Sequence, residues 1–190
     1  MKQAIVLASK SPRRKEILEK SGYDIIIDVS NFDENGVVEE DIKQKVQEIA
    51  KGKAMVIVPK HDNSIVIAAD TFVYFNGHEI GKEQNDESAR KTLMELLGNT
   101  HEVFTGIYVI NTKTDKVVQD ICISKVTLKQ VPGFVVDKYI SSGHYKGKAG
   151  CYNINDPEFE SFVDHIEGSY SNIMGLPKER IKNMIDEVSG

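Results

Sequence analysis

Residues 3–14 read Gln-Ala-Ile-Val-Leu-Ala-Ser-Lys-Ser-Pro-Arg-Arg, and this stretch decides how the chain begins to fold. The short, β-branched apolar run at 3–8 predicts a buried strand. Ser11 followed by Pro12 predicts the start of a helix, because a serine side chain caps a helix N-terminus and proline suits the first helical position. Gly22 predicts the end of that helix. A strand that leads through a short loop into a helix is typical of a fold that mixes both elements.

Strands and helices intermix along the rest of the chain. Further strands are predicted at 23–29, 64–75, 101–112, 117–129 and 161–166, and further helices at 38–58, 86–97, 132–140 and after 177. No repeat, low-complexity tract or linker interrupts this pattern, so we predict one domain over residues 1–190. The fold class is α/β or α+β, built around a mixed β-sheet.

Composition and charge narrow the classes of protein that this chain can be. The 190 residues carry 24 Lys and Arg against 29 Asp and Glu, and no apolar run exceeds five residues, whereas a membrane span needs about 20. Cys122 and Cys151 form neither a disulfide framework nor a metal motif. The first residues lack the long apolar stretch of a signal peptide. We therefore expect a cytoplasmic protein with no membrane partner, and the acidic balance argues against stable nucleic-acid binding.

Four basic residues crowd the junction between the first strand and the first helix: Lys10, Arg13, Arg14 and Lys15. Arginine in the first turn faces the positive end of the helix dipole, which is unfavourable unless an anion is present. A phosphate or carboxylate reverses the effect by binding both the backbone N–H groups and the guanidinium groups. The sequence leaves two interpretations open here, a solvated basic turn and an anion-binding loop.

Two acidic residues and two lysines are further candidates for a functional site. Asp70 interrupts the apolar strand at 64–75, so its carboxylate is either paired, metal-bound or functional, or it lies at the polar edge of the strand. Glu34 lies in a polar loop, and a Glu34/Asp70 pair suits Mg²⁺, which takes carboxylates together with substrate phosphates. Lys53 and Lys82 either supply positive charge to a phosphate chain or extend to solvent as ordinary surface lysines.

Several short motifs occur in one order along almost the whole chain, and together they resemble the Maf family. They are Leu7-Ala8-Ser9-x-Ser11-Pro12-Arg13-Arg14, Glu34, Lys53-Ala54, Ala69-Asp70-Thr71, Gly81-Lys82, Leu96-x-Gly98-x-x-His101-x-Val103-x-Thr105-Gly106, Lys148-Ala149-Gly150-x-Tyr152 and Gly175-Leu176-Pro177. Each motif alone is weak, but their joint order is specific.

The resemblance implies a fold and an activity. Maf proteins are nucleoside triphosphate pyrophosphatases that hydrolyse noncanonical or pyrimidine nucleotides, modified ones included, to the monophosphate and pyrophosphate. They use a divalent metal cation, Mg²⁺ or Mn²⁺, to assist the attack of water. Their architecture is similar to that of the inosine triphosphatases, with a long mixed twisted β-sheet flanked by helices and two lobes around a central cleft. A homodimer is also expected from the resemblance.

The resemblance also implies a role for each matching residue. Ser9, Arg13 and Arg14 match the phosphate-binding loop, and Lys53 and Lys82 match phosphate-facing lysines. Asp70 matches the general base, with Glu34 and Asp70 at the metal. Arg13 and Thr71 match positions tied to substrate choice.

The Ala69-Asp70-Thr71 motif resembles the branch of the family that acts on dTTP and UTP. The branch that resembles 7-methyl-GTP pyrophosphatases carries Ser-Asp-Gln there and a Trp in the arginine motif, and both are missing here. Asn155 stands where the family has a specificity-linked Gln, so its amide reaches one methylene less far. Gly147 replaces an acidic residue, Glu83 replaces a proline, and one residue is added between 156 and 161. Asn155 and the added residue leave the preferred base open.

Two functions from other classes compete with this interpretation. The first is a nucleotide-sensing regulatory protein of cell division or septum formation, without significant turnover. Such a sensor needs the cations but neither a base nor metal carboxylates, so the joint presence of Asp70 and Glu34 favours an enzyme. The second is single-strand nucleic-acid binding, which an aromatic content of 7% and the absence of Trp disfavour.

Overall fold

The computed structural model describes residues 3–190 and contains both strands and helices throughout. Its strands are β1 (Ala4–Leu7), β2 (Ile25–Ile27), β3 (Ser64–Phe75), β4 (His78–Ile80), β5 (Thr100–Asn111), β6 (Lys116–Leu128) and β7 (Val163–Glu167). Its helices are α1 (Pro12–Lys20), α2 (Ile42–Ile57), α3 (Asp86–Leu96), α4 (Gly133–Ser142), α5 (Pro157–Glu160), α6 (Tyr170–Ile173) and α7 (Lys178–Ser189). Short 3₁₀ turns occupy Glu34–Gly36 and Val58–Lys60.

The strands form one sheet in the order β2-β1-β3-β5-β6-β7, and β4 pairs with β3 outside this path. Strand β1, the second from one edge, is parallel to both its neighbours, so Val6 lies opposite Ile26 on one side and Val66 on the other. The hairpin partner β4 runs antiparallel to β3, and β7 runs antiparallel to β6. The predicted fold class, a mixed sheet combined with helices, is confirmed.

The chain divides into two compact units, and β3, β5 and β6 each pass from one unit into the other. The first unit comprises residues 1–71, 105–122 and 175–190. In it α2 lays small and branched side chains such as Ala50, Ala54 and Ile57 against Val6 and Val66 of the sheet. These side chains are almost completely buried.

The second unit comprises residues 72–104 and 123–174. Its core contains stacked aromatic rings, with Phe159 parallel to Tyr152 at 4.7 Å and to Phe162 at 4.8 Å between ring centroids. Tyr139 of α4 packs against this stack. Whether the two units count as one domain over residues 1–190 stays a prediction.

The local signals in the sequence place most elements correctly. Ser11 caps α1, Pro12 is its first residue, and Gly22 follows with a φ of +85°. The helix predicted at 38–58 begins only at Ile42, because Asp41 caps it through the Lys43 N–H. Among residues 3–190, none of the helices combines the length and the apolar character needed to cross a bilayer.

Candidate active site

The loop between β1 and α1 brings a buried guanidinium to the carboxyl end of β1. The first turn of α1 carries no acidic residue, so the positive end of the helix dipole is not neutralised from within. Ser9 accepts a hydrogen bond from the Ser11 N–H at 3.2 Å and thereby shapes the loop. Arg13 is half-buried, whereas Arg14 is only 9% exposed. The two neighbouring arginines therefore have different environments.

Arg14 uses three of its nitrogens within the first unit. Its Nε donates to the Gly175 carbonyl at 2.8 Å, Nη1 to Ser9 Oγ at 3.3 Å, and Nη2 to Thr71 Oγ1 at 3.0 Å. Burial lowers the pKa of the Arg14 guanidinium, and the nearby Asp70 carboxylate opposes that shift. Arg14 is thus an internal cation that ties the loop after β1 to the middle of β3 and to the segment before α7.

Lys53 joins the two predicted metal carboxylates. Its Nζ lies 2.6 Å from Asp70 Oδ1 and 2.8 Å from Glu34 Oε1. The Lys53 and Asp70 side chains are only 12% and 10% exposed, whereas Glu34 is 47% exposed. Glu34 opens a 3₁₀ turn that Asp33 caps, α2 supplies Lys53, and β3 supplies Asp70. The lysine that was predicted to face phosphate therefore contacts carboxylates here.

The two carboxylates that contact Lys53 can be compared with the ligands that a divalent cation needs. No group of three or more His, Cys, Asp or Glu side chains with metal-binding geometry occurs within residues 3–190. Asp70 and Glu34 alone supply two carboxylates, and Mg²⁺ binds through one or two carboxylates when substrate phosphates and water complete its shell. The residues present therefore fit a metal that arrives with a nucleotide, and they do not fit a closed metal cage made only by protein.

The structure places the other two predicted residues, Lys82 and Asn155, in the second unit. Lys82 is exposed and forms an isolated bridge with Ala149, which joins the two short motifs that contain them. Asn155 is also exposed, and its side-chain oxygen lies 3.4 Å from the Tyr170 hydroxyl. Contacts within the first unit thus connect Ser9, Arg14 and Thr71 in one group and Glu34, Lys53 and Asp70 in another. The contacts given above for Lys82 and Asn155 lie within the second unit.

Comparison with known proteins agrees with the order of the motifs. The family model described as Maf-like protein matches residues 4–188. The chain belongs to the Maf family. A relative from Clostridium perfringens (strain SM101 / Type A), named dTTP/UTP pyrophosphatase, is 40% identical over 184 residues, which cover 96% of this chain and 95% of the relative. A Pyrococcus furiosus protein of the same name is 42% identical over 91% of this chain and 89% of its own length.

Among solved structures, that of the Staphylococcus aureus Ham1 protein matches with a TM-score of 0.42 and 16% identity. The match covers 66% of this chain and 72% of that chain.

Two Maf motifs contain residues at this site to which the sequence assigned no role. Thr105 lies with its hydroxyl oxygen 3.0 Å from that of Thr71, and the carbonyl of Gly175 accepts from Arg14. The signal was present, since both residues belong to the motifs that carry the family resemblance. The sequence does not show which residues they contact, because Arg14 and Gly175, for example, are 161 positions apart.

Proposed function

We propose that this Maf protein hydrolyses dTTP and UTP to the nucleoside monophosphate and pyrophosphate. The observation that supports this best is the buried Asp70 carboxylate, held 2.6 Å from Lys53 Nζ with Glu34 on the same nitrogen. A protein that only senses a triphosphate needs cations for the phosphates, but gains nothing from two carboxylates among them. The substrate class follows from the relatives named dTTP/UTP pyrophosphatase.

We assign to Asp70 the activation of the attacking water. Lys53 holds Oδ1, so Oδ2 orients the water and takes its proton as the water oxygen attacks the α-phosphorus. The bond from the α-phosphorus to its bridging oxygen breaks, and the pyrophosphate leaves with that oxygen. Arg13 and Lys53 stabilise the negative charge that develops on the leaving group, because phosphoryl transfer depends mainly on positioning and electrostatics. Lys82 keeps the phosphate-binding role that the family resemblance implies.

Glu34 and Asp70 are the residues that would hold a divalent cation, Mg²⁺ or Mn²⁺, together with the substrate phosphates. A bound cation supplies positive charge to the phosphate oxygens and lowers the barrier to attack. Lys53 pairs with both carboxylates and offsets one of their two negative charges, so it competes with a cation for the same oxygens before the nucleotide arrives.

Substrate choice is assigned to three residues. Arg13 and Thr71 lie in the first unit, and Asn155 in the second is the position at which this chain departs from the family pattern. Ser9 and Arg14 shape the phosphate-binding loop through the hydrogen bond that Arg14 Nη1 donates to Ser9 Oγ.

A turnover panel tests the proposed reaction. The purified protein is incubated with dTTP, UTP, CTP, GTP, ITP or 7-methyl-GTP, each with Mg²⁺, with Mn²⁺ or with excess chelator, and released pyrophosphate is distinguished from phosphate. We expect pyrophosphate from dTTP and UTP, and only when a cation is present. If pyrophosphate is released only from a nucleotide with another base, the proposed reaction stands, and the changed base preference is attributed to Asn155. Binding without turnover of any nucleotide favours the sensor of cell division instead.

The assembly and cellular location are also part of the proposal. We propose a cytoplasmic homodimer. The family resemblance supports the dimer, and two cysteines that form no disulfide framework support a reducing, cytoplasmic location. Sedimentation equilibrium of the purified chain at several concentrations tests the dimer, and a mass equal to one chain of 21.3 kDa at all of them contradicts it. Cell fractionation with an antibody to the chain tests the location.

A further inference from the structure

Lys53 holds two carboxylates that the fold fixes to different degrees. Its Nζ lies 2.6 Å from Asp70 Oδ1 and 2.8 Å from Glu34 Oε1. Asp70 is buried within the long strand β3, whereas the Glu34 side chain is half-exposed on a three-residue 3₁₀ turn. An ion pair with an exposed partner contributes little to stability, because solvent screens it. Of its two partners, Glu34 is therefore the one that Lys53 can release at small cost.

The fold places a loop that favours anions beside this cluster. Arg14 lies in the first turn of α1, and its Nη2 donates to Thr71, the residue after Asp70. The carboxylates of Asp70 and Glu34 both oppose the effect of burial, which lowers the pKa of the Arg14 guanidinium, so both lie within its electrostatic reach. The first turn carries no acidic residue, so its N–H groups attract an anion. A phosphate bound at this loop therefore lies near Lys53.

The charges of the cluster oppose a cation and a phosphate when either arrives alone. Lys53 occupies one oxygen of each carboxylate, so a divalent cation meets a competing ammonium there. A phosphate oxygen at Lys53 Nζ lies close to the Glu34 carboxylate, and like charges repel. An ammonium has three N–H donors, and the carboxylates take two of them, so the third can receive a phosphate oxygen before Glu34 is released. Both obstacles disappear when Lys53 leaves Glu34 for the phosphate.

We propose that Lys53 exchanges Glu34 for a phosphate oxygen of the nucleotide, keeps Asp70 Oδ1, and thereby frees Glu34 to hold the divalent cation. This inference rests on the proposed function for its two ligands and deepens it. Before the exchange, the ammonium excludes a cation from Glu34. After the exchange, Glu34 and the phosphate together attract one. Lys53 thus couples the two binding events, and by linkage each ligand strengthens the binding of the other by the same factor.

Two titrations without turnover test the exchange. Mn²⁺ is added to the nucleotide-free protein while electron paramagnetic resonance follows the free ion, and UTP is added in excess chelator while calorimetry follows binding. We expect Lys53→Met to tighten Mn²⁺ binding and to weaken UTP binding, each by about fivefold or more, the lower end of typical coupling between sites. A merely structural role of Lys53 predicts weaker binding of both ligands.

Glu34→Gln separates an exchange of partners from a simple effect of charge. It keeps a hydrogen-bond acceptor for Lys53 but removes the ion pair, so we expect weaker Mn²⁺ binding and tighter UTP binding. In this background Lys53 gives up no ion pair to reach the phosphate. Lys53→Met should therefore cost more UTP affinity here than in the unsubstituted chain, whereas charges that act independently give equal losses.

Matched controls come from the same helix. Lys51 of α2 pairs with Glu48 at 3.5 Å, and both side chains are exposed. Lys51→Met and Glu48→Gln change the net charge as the two test substitutions do. Both affinities should stay within about twofold of those of the unsubstituted chain, because solvent and salt screen exposed charges.

The results distinguish the exchange from the proposed function. Unchanged or weaker Mn²⁺ binding in Lys53→Met, unchanged UTP binding, or equal UTP losses in the two backgrounds overturns the exchange. The proposed function then still stands if the unsubstituted chain releases pyrophosphate from UTP. The expected shifts without any such release support the exchange and overturn the proposed function. If Lys53→Met does not fold, Glu34→Gln decides, and an unchanged affinity for either ligand overturns the exchange.

Discussion

Single residues show how the proposed chemistry depends on burial. Asp70 is buried and would be costly as an isolated charge, because an ionised carboxylate loses its hydration inside a protein. The ion pair with Lys53 offsets that cost and holds one carboxylate oxygen in a fixed direction. The same contact therefore serves stability and the orientation of the proposed base, and two substitutions separate these roles.

Asp70→Asn removes the base and keeps the shape of the side chain. We expect kcat for UTP to fall by about 10²- to 10⁴-fold with a smaller change in KM, since that is the usual contribution of a general base. The thermal midpoint should change little in comparison, because Lys53 still donates to the amide oxygen. Asp28→Asn is the matched control, a carboxylate of the same unit that pairs with His61 at 2.9 Å. Near-normal turnover by Asp70→Asn would show that another group activates the water.

Lys53→Met removes the cation and leaves two carboxylates facing each other. Loss of one partner of a largely buried ion pair costs about 3 kcal/mol of unfolding free energy, which urea titration can measure. Lys51→Met is the control, since the Lys51 pair with Glu48 is exposed and 3.5 Å long, and we expect it to cost less than about 1 kcal/mol. The double variant Lys53→Met, Asp70→Asn should recover part of the lost stability. Equal losses for the two lysines would contradict the structural role of the Lys53 pair.

At the scale of elements, the packing of α2 on β5 depends on one glycine. A Cβ at Gly106 would lie 2.5 Å from the Val46 carbonyl oxygen and 3.0 Å from the Gln47 nitrogen, both in the helix backbone. A backbone cannot move aside as a side-chain end can, so α2 would have to shift, and α2 carries Lys53. The close approach of these two elements therefore positions the candidate site.

Gly106→Ala tests this packing. We expect it to lower the free energy of unfolding by about 2 kcal/mol or more, in the range of overpacked interiors, and to reduce turnover as Lys53 moves. Gly81→Ala is the control for stability, because a Cβ there meets nothing within 4 Å. A stability equal to that of the unsubstituted chain would mean that α2 adapts without cost.

The sequence predicts elements better than it predicts the contacts between them. Caps and apolar periodicity are local, so the start of α1 at Ser11 and Pro12 and the existence of α2 could be read directly. The short helices α5 and α6 have four residues each and give no periodic signal. The partners of Arg14 and the approach of Gly106 to α2 depend on the sheet order, which no local pattern contains.

The candidate site follows the same division. The family motifs named candidate residues, but the contact of Lys53 with two carboxylates and the buried hydroxyl of Thr105 appear only when β3, β5 and α2 are assembled. The sequence alone therefore supports a reaction class, and the structure adds which side chains contact one another.

At the scale of the whole molecule, the pH dependence of the unfolding free energy reports on titratable groups that are buried in their neutral form. His101 is 1% exposed, its Nε2 lies 2.8 Å from the Tyr152 hydroxyl, and its Nδ1 has no hydrogen-bond partner among residues 3–190. Burial lowers the pKa of His101 from 6.5 to about 4. The folded molecule therefore keeps this imidazole neutral over a pH range in which the unfolded chain protonates it.

This difference predicts a loss of stability in mild acid. Between pH 6.5 and 4 the unfolded state binds more protons, so the contribution of His101 to the unfolding free energy is complete above pH 6.5 and declines as the pH falls, by about 2 kcal/mol at pH 5. Urea unfolding at pH 7.5 and pH 5 measures the loss, which should be smaller by that amount in His101→Gln because glutamine does not titrate. His78→Gln, at an exposed histidine, should behave as the unsubstituted chain does. The same pH dependence in His101→Gln and His78→Gln would assign the acid sensitivity to carboxylates instead.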